Sequence, residues 1–183
     1  MDKIFIIGTI FICLVGTLLH FLYEMTSHNK IISLFAAVNE STWEHIKIAL
    51  SPYFLWMMVD GLYYGTNGNY PLAKMLGALV IIILIPTLFY GYQIFTKKAV
   101  LFIDIIIFYV AIFLSEYVGF KVLNLAPVSF YYNYISFIIL FLIFGFYMVV
   151  TLNPIKNFLF KDPITNNYGI KGHSHHNHKD KEK

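Results

Sequence analysis

Five long apolar runs constrain the fold of this chain more than any other feature of its sequence. A helix that crosses the hydrocarbon of a bilayer needs about 20 consecutive, mostly apolar residues. Five segments meet that requirement: 3–24, 43–65, 71–95, 98–120 and 129–152. Charged residues make up only 13% of the chain, whereas a soluble domain averages about a quarter. The sequence therefore predicts an all-α, polytopic transmembrane helix bundle of about five spans in a lipid bilayer.

The segments between and after the runs divide the chain into a bundle and a tail. Residues 31–38 are apolar but too short to cross, so they predict an interfacial or re-entrant segment between spans 1 and 2. We expect residues 1–160 to form the transmembrane bundle and residues 161–183 to form a cytoplasmic tail rich in His and Lys. From residue 172 the tail is polar and short, which predicts disorder. The first run is too long for a signal-peptide core, which favours a retained helix.

The basic residues predict an orientation and argue against nucleic acid as a partner. All 13 are lysines, and the formal net charge is only +3; no basic recognition helix is present in the sequence. Cytoplasmic ends of membrane spans carry an excess of Lys and Arg. Near one set of span ends lie Lys30, Lys97, Lys98, Lys156 and Lys161, and near the other lie Lys3, Lys74 and Lys121. This asymmetry predicts a cell-membrane protein with its N-terminus outside and its C-terminus in the cytoplasm.

A short polar stretch, NESTWEHIK, opens the second run and predicts a helix start beside a polar pocket. Ser41 and Glu44 have the spacing of a capping box, in which each side chain accepts a backbone N–H of the first helical turn. Glu44 and Lys47 are three residues apart and can pair on one helix face. Asn39 and Trp43 belong to the same stretch, so we expect them, with Ser41 and Lys47, to line the pocket.

Three helices place ionisable side chains at similar depth on the predicted cytoplasmic side. From the rise per residue, His20 and His45 lie about 6 Å in from their helix ends and Asp104 about 9 Å in. Two imidazoles and a carboxylate, with Glu24 nearby, make an adequate ligand set for zinc or another divalent metal. A Cys-based zinc site is excluded, because Cys13 is the single cysteine of the chain.

The same residues are open to more than one function. A bound metal could activate water for hydrolysis of a lipid-soluble substrate, with Glu40 and Glu44 as the candidate catalytic carboxylates. The alternatives are a small transporter with a proton or ion path, or a non-catalytic scaffold whose polar residues join the helices. Asp60 and Glu116 fit interfacial positions, with the lining of a cavity as the alternative, and Glu116 can be neutralised by Lys121. The residues leave open whether the chain is an enzyme and whether it has a protein partner.

The polar stretch also carries a family resemblance. VNESTWEHIK after a first run ending in HFLYE, FIDIIIF in the fourth run and LFKDPITNNYGI before the tail resemble a family of small bacterial integral membrane proteins of unknown function. The VNESxWEHxK string is the most specific part of that resemblance, which extends over nearly the whole chain. It implies a five-helix polytopic protein, and it implies no particular activity or cofactor.

Overall fold

A computed structural model describes residues 2–172 as a bundle of five α-helices. The helices are α1 (Lys3–Met25), α2 (Thr42–Tyr64), α3 (Tyr70–Thr96), α4 (Leu101–Leu123) and α5 (Phe130–Leu152). Two short 3-10 helices cover Ile32–Leu34 and Gly169–Gly172, and the described residues contain no β-strand. The predicted all-α bundle is confirmed. The predicted disorder of the His-rich tail falls mainly on residues 173–183, which lie outside the described residues.

Four of the five helices, α1, α3, α4 and α5, are long and apolar enough to cross a membrane, and the chain is a multi-pass membrane protein. The remaining helix, α2, has 23 residues like three of the others, but it carries Glu44, Lys47 and Asp60. All three of these side chains are buried. Helix α2 packs against both α1 and α3, so the bundle shields its charged groups from lipid.

Consecutive helices run antiparallel, which gives the bundle two ends. We call one end the C-terminal face; it carries the connections 26–41 and 97–100 and the segment 153–172. The opposite end is the N-terminal face, with Asp2 and the connections 65–69 and 124–129. A group's position along its helix therefore says which face it is near.

Close helix contacts in the middle of the bundle depend on small residues. Gly16 of α1 faces α2 and α4, and a Cβ atom there would lie 2.7 Å from Cζ of Phe108 and 2.9 Å from the carbonyl oxygen of Ile48. Real Cβ contacts do not come that close. Glycine at this position thus allows α1 to approach α2 and α4, which brings the polar residues at the ends of these helices together.

The connection 26–41 and the segment 153–172 both fold over the C-terminal face. The Tyr147 hydroxyl of α5 donates to the carbonyl of Leu34 at 2.8 Å, which ties the first 3-10 helix to the bundle. The Trp43 backbone N–H donates to the carbonyl of Leu159 at 2.9 Å. The indole ring of Trp43 stacks on the Phe160 ring with centroids 4.8 Å apart. The end of the described chain is therefore packed against the start of α2.

Candidate functional site

His20, Glu40 and His45 meet on the C-terminal face, and we call them the His–Glu–His cluster. They come from α1, from the connection before α2 and from the first turns of α2. Nε2 of His20 lies 3.6 Å from Oε1 of Glu40, and Nε2 of His45 lies 3.8 Å from Oε2. One ligand atom from each residue can be chosen so that all three lie within 4.8 Å of one another. These are the atom types that bind divalent transition metals.

Backbone contacts orient the second histidine of the cluster. Nδ1 of His45 lies 3.0 Å from the carbonyl oxygen of Ser41, and a carbonyl oxygen can only accept, so Nδ1 carries the hydrogen. In the neutral imidazole this leaves the lone pair on Nε2, which faces Glu40. Metal-bound histidines usually have this arrangement, with the second ring nitrogen donating to a carbonyl or a carboxylate.

The segment near the end of the described chain holds the backbone that carries Glu40. The Glu40 N–H donates to Oδ1 of the buried Asp162 at 3.1 Å. Next to it, the Asn39 side-chain amide donates to the carbonyl of Gly169 at 2.9 Å, and its oxygen accepts the Ser41 N–H at 2.8 Å. Glu40 thus projects from a loop whose backbone is fixed on both sides.

The cluster is not enclosed by the bundle. The side chains of His20 and His45 are 26% and 27% exposed and that of Glu40 is 47% exposed. Three protein ligands leave at least one coordination position for water or a substrate, which is the usual arrangement of a catalytic rather than a structural zinc site.

Two predicted ligands lie elsewhere. Oε2 of Glu24 lies 3.2 Å from Nε2 of His28, one turn further along, where the chain leaves α1. Asp104 accepts a hydrogen bond of 2.6 Å from the Tyr92 hydroxyl. Asp104 and His45 do line the same small cavity of about 20 Å³, so their similar depth brings them near each other without bringing Asp104 into the cluster.

Glu44 and Lys47 form a separate, closed network beneath the cluster. Oε2 of Glu44 accepts from Lys47 Nζ at 2.6 Å and from the Val38 N–H at 2.9 Å, and Nζ also donates to the Ser33 carbonyl at 2.9 Å. The predicted Glu44–Lys47 pair is confirmed. The predicted capping box is wrong: the Ser41 side chain makes no cap hydrogen bond. The chain turns back before α2, so Glu44 reaches Val38 instead of the Ser41 N–H.

Trp43, which we expected in the pocket, packs between two segments. In addition to stacking on Phe160, its ring meets Phe146 of α5 edge-on at 6.0 Å. Its neighbour Thr42 shares a hydrogen bond of 2.9 Å with the Tyr90 hydroxyl of α3. Thr42 and Trp43 thus hold the start of α2 against α3, α5 and the segment 153–172. They thereby position the neighbouring residues Ser41 and Glu44.

A second polar cluster, near the N-terminal face, was missed by sequence reasoning. Lys74 of α3 pairs with Oδ2 of Asp60 on α2 and lies 3.6 Å from Oε1 of Glu116 on α4. All three residues are at most 5% exposed. The expected partner of Glu116, Lys121, has its Nζ 5.3 Å from the centre of the Tyr117 ring. We call Asp60, Lys74 and Glu116 the buried triad.

A large apolar cavity of about 890 Å³ lies between α1, α2 and α5. It is lined by residues such as Leu19, Pro52, Leu55 and Phe141, and none of the His–Glu–His residues lines it. The cluster sits on the other side of α1, where Thr17 shares a 3.0 Å hydrogen bond with Tyr109 of α4. A lipid-soluble molecule in this cavity would not contact the cluster.

Comparison with known proteins places the chain in a family without assigning it an activity. Residues 1–170 match the model of the Family of unknown function (DUF6512), and the chain belongs to that family. No curated protein and no solved structure matched the chain. Functional conclusions therefore depend on the geometry of the site.

Proposed function

We propose that this member of a family of unknown function is a multi-pass membrane protein that binds a divalent metal ion through His20, Glu40 and His45. One observation carries the proposal: three ligand atoms of suitable type, from three separate segments, lie within 4.8 Å of one another. Glu40 and His45 are neighbours in the sequence, whereas His20 lies 20 residues before Glu40. Packing of α1 against α2, and of the end of the described chain against residue 40, brings the three together.

The two separations between histidine nitrogen and Glu40 oxygen are close to those of a metal-bound site. Two ligand atoms at 2.0–2.1 Å from a tetrahedral zinc ion lie about 3.3–3.4 Å apart. The observed N–O distances of 3.6 and 3.8 Å exceed this by a few tenths of an ångström. Small rotations of the side chains would close the difference, because the Glu40 side chain is partly exposed and free to adjust.

The ligand set narrows the candidate ions and their chemistry. Two imidazoles and a carboxylate suit zinc, and they suit iron(II) in the facial arrangement with open positions. An ion held here would act as a Lewis acid on a water or a polar group that enters from the aqueous side. We therefore expect a substrate, if there is one, to come from water or the lipid headgroup region and not from the apolar cavity.

The proposal also assigns a location. The C-terminal face carries the lysine-rich span ends, so we propose that the metal site faces the cytoplasm of the cell.

Metal content of the purified protein tests the proposal. The tail histidines bind metals loosely, so the full-length chain should carry serine in place of His173, His175, His176 and His178. After purification without chelator and titration with zinc, we expect one bound ion per chain by elemental analysis. His20→Ala, His45→Ala and Glu40→Gln should each weaken binding by orders of magnitude, because the remaining two ligands hold the ion poorly.

His28→Ala is the matched control, because His28 lies next to Glu24 on the same face and outside the cluster. It should bind zinc like the parent chain. A four-serine parent that binds no zinc, iron(II) or manganese would refute the proposal. Equal loss of zinc in His28→Ala and His45→Ala would also refute it, because it would show that zinc binds to surface histidines without a specific site.

A further inference from the structure

The buried triad contains two acids and one base, and only one of the acids is well paired. Asp60 accepts both from Lys74 and from the Tyr70 hydroxyl, the latter at 2.7 Å. Oε1 of Glu116 lies 3.6 Å from Lys74 Nζ, beyond hydrogen-bond range, and has no hydrogen-bond partner among residues 2–172. The two carboxylates share the single ammonium of Lys74, so an ionised Glu116 would leave the buried triad with one excess negative charge.

Glu116 borders a small cavity that leads toward the N-terminal face. The cavity, about 10 Å³ in volume, is lined by Asp60, Lys74, Glu116 and Tyr64 among apolar residues. That volume and polar lining suit a single water molecule. The Tyr64 hydroxyl donates to Oδ2 of Asp2 at 2.5 Å, and Asp2 is exposed at the surface. This hydrogen bond lowers the pKa of Asp2, which keeps the surface carboxylate ionised.

We propose that Glu116 binds one exchangeable proton, which reaches it from the N-terminal face through Asp2, Tyr64 and a water in the small cavity. Protonation removes the excess charge, and it turns Oε1 from an acceptor without a donor into an O–H donor that a water in the small cavity can accept. A metal cation such as sodium fits less well, because the Lys74 ammonium lies at the same cavity and repels it. The site is independent of the His–Glu–His cluster, from which it is about 22 Å away along α2.

The titratable and charged groups around Glu116 are few. From α2 and α3 they are Asp60, Lys74, Tyr53, Tyr64 and Tyr70. From α1 the cavity receives only the apolar Ile4 and Phe5. Lys74 is therefore the one basic group that faces Glu116 in the described residues, and Asp60 shares it.

Infrared spectroscopy of the full-length protein in lipid nanodiscs tests the proposal. At neutral pH the wild-type spectrum should contain a carboxylic acid C=O band that is absent from Glu116→Gln. Asp60→Asn should also lack the band, because Lys74 is then free to neutralise an ionised Glu116. If Glu116→Gln fails to fold, Glu116→Asp should shift the band instead of removing it. A band that is the same in wild type and in the folded variants, or no band, would overturn the proposal.

The route is tested by transfer into D2O. Tyr64→Phe should slow the isotope shift of the Glu116 band several-fold, whereas Tyr63→Phe, at the neighbouring exposed position, should not. Equal rates in the two variants would overturn the route through Tyr64. Loss of the band on replacing choline chloride with sodium chloride would identify the ligand as sodium and overturn the assignment of a proton.

Discussion

Replacing Lys47 with methionine should destabilise the protein strongly, although a methionine side chain is transferred into an apolar environment far more favourably than a lysine side chain. The Glu44 and Lys47 side chains are 5% and 1% exposed, and their charged atoms are 2.6 Å apart. Methionine fills a similar volume but leaves the Glu44 carboxylate buried without a cation and the Ser33 carbonyl without a donor. Breaking a buried ion pair from one side costs about 3–5 kcal/mol of unfolding free energy, and we expect Lys47→Met to fall in that range.

The double variant Lys47→Met/Glu44→Gln separates the lost charge pair from lost packing. It removes both charges, and the glutamine oxygen can still accept the Val38 N–H, so it should regain at least about 2 kcal/mol relative to Lys47→Met. Reversible unfolding in mixed micelles, followed by circular dichroism, gives the free energies. The exposed pair Glu24–His28 provides the control: Glu24→Gln should change stability by about 1 kcal/mol or less.

A loss below about 1 kcal/mol in Lys47→Met would refute the interpretation of this pair as a structural network. A double variant no more stable than Lys47→Met would also refute it, because the unpaired charge of Glu44 would then not be the source of the lost unfolding free energy. Zinc binding should survive in the double variant, because neither residue belongs to the His–Glu–His cluster. This readout distinguishes a network that holds the helices together from one that binds the metal.

Three further predictions concern the ends of the chain. Deleting residues 173–183 should leave the thermal unfolding temperature in detergent unchanged without added metal, and a large decrease would show that the tail docks on the bundle. A single cysteine placed near Lys171, in a Cys13→Ser background, should resist labelling by membrane-impermeant reagents added to intact cells; rapid labelling would reverse the predicted orientation. The hydrogen bond from Tyr64 lowers the pKa of Asp2, so it stabilises the fold at neutral pH and this stabilisation is lost as the pH falls through the carboxyl range. Tyr64→Phe should therefore reduce the loss of unfolding free energy with falling pH.

Helix positions could be predicted from the sequence because hydrocarbon thickness imposes a length on apolar runs. The predicted segment 3–24 became Lys3–Met25, and 129–152 became Phe130–Leu152. The local ion pair of Glu44 with Lys47 was also predictable, since three residues along a helix bring two side chains to the same face. Such inferences use only the geometry of a single helix.

Contacts between helices could not be predicted in the same way. The sequence gives the position of a residue along its helix, but it does not give the rotation of that helix about its axis, which decides which neighbour the residue faces. His20, His45 and Asp104 were predicted at similar depth, and in the structure His45 lies near each of the other two. Only the two histidines point toward one another, while Asp104 turns toward Tyr92. Lys74 was counted as an ordinary flanking lysine. The short connection 65–69 could have revealed its partner, since an antiparallel hairpin places Lys74 opposite Asp60.

The least predictable part of the site is Glu40, because the groups that fix it are some 120 residues away in sequence. The Asp162 carboxylate accepts the Glu40 backbone N–H, and the Gly169 carbonyl accepts from the Asn39 side-chain amide. A Cβ atom on Gly172 would lie 3.0 Å from that amide nitrogen. The histidine-rich sequence that starts at His173 is therefore attached directly beside the loop that carries Glu40. Metal taken up by the tail histidines would add to metal bound by the cluster in an elemental analysis of the whole chain. Only the four-serine chain, with His28→Ala as its control, can separate the two.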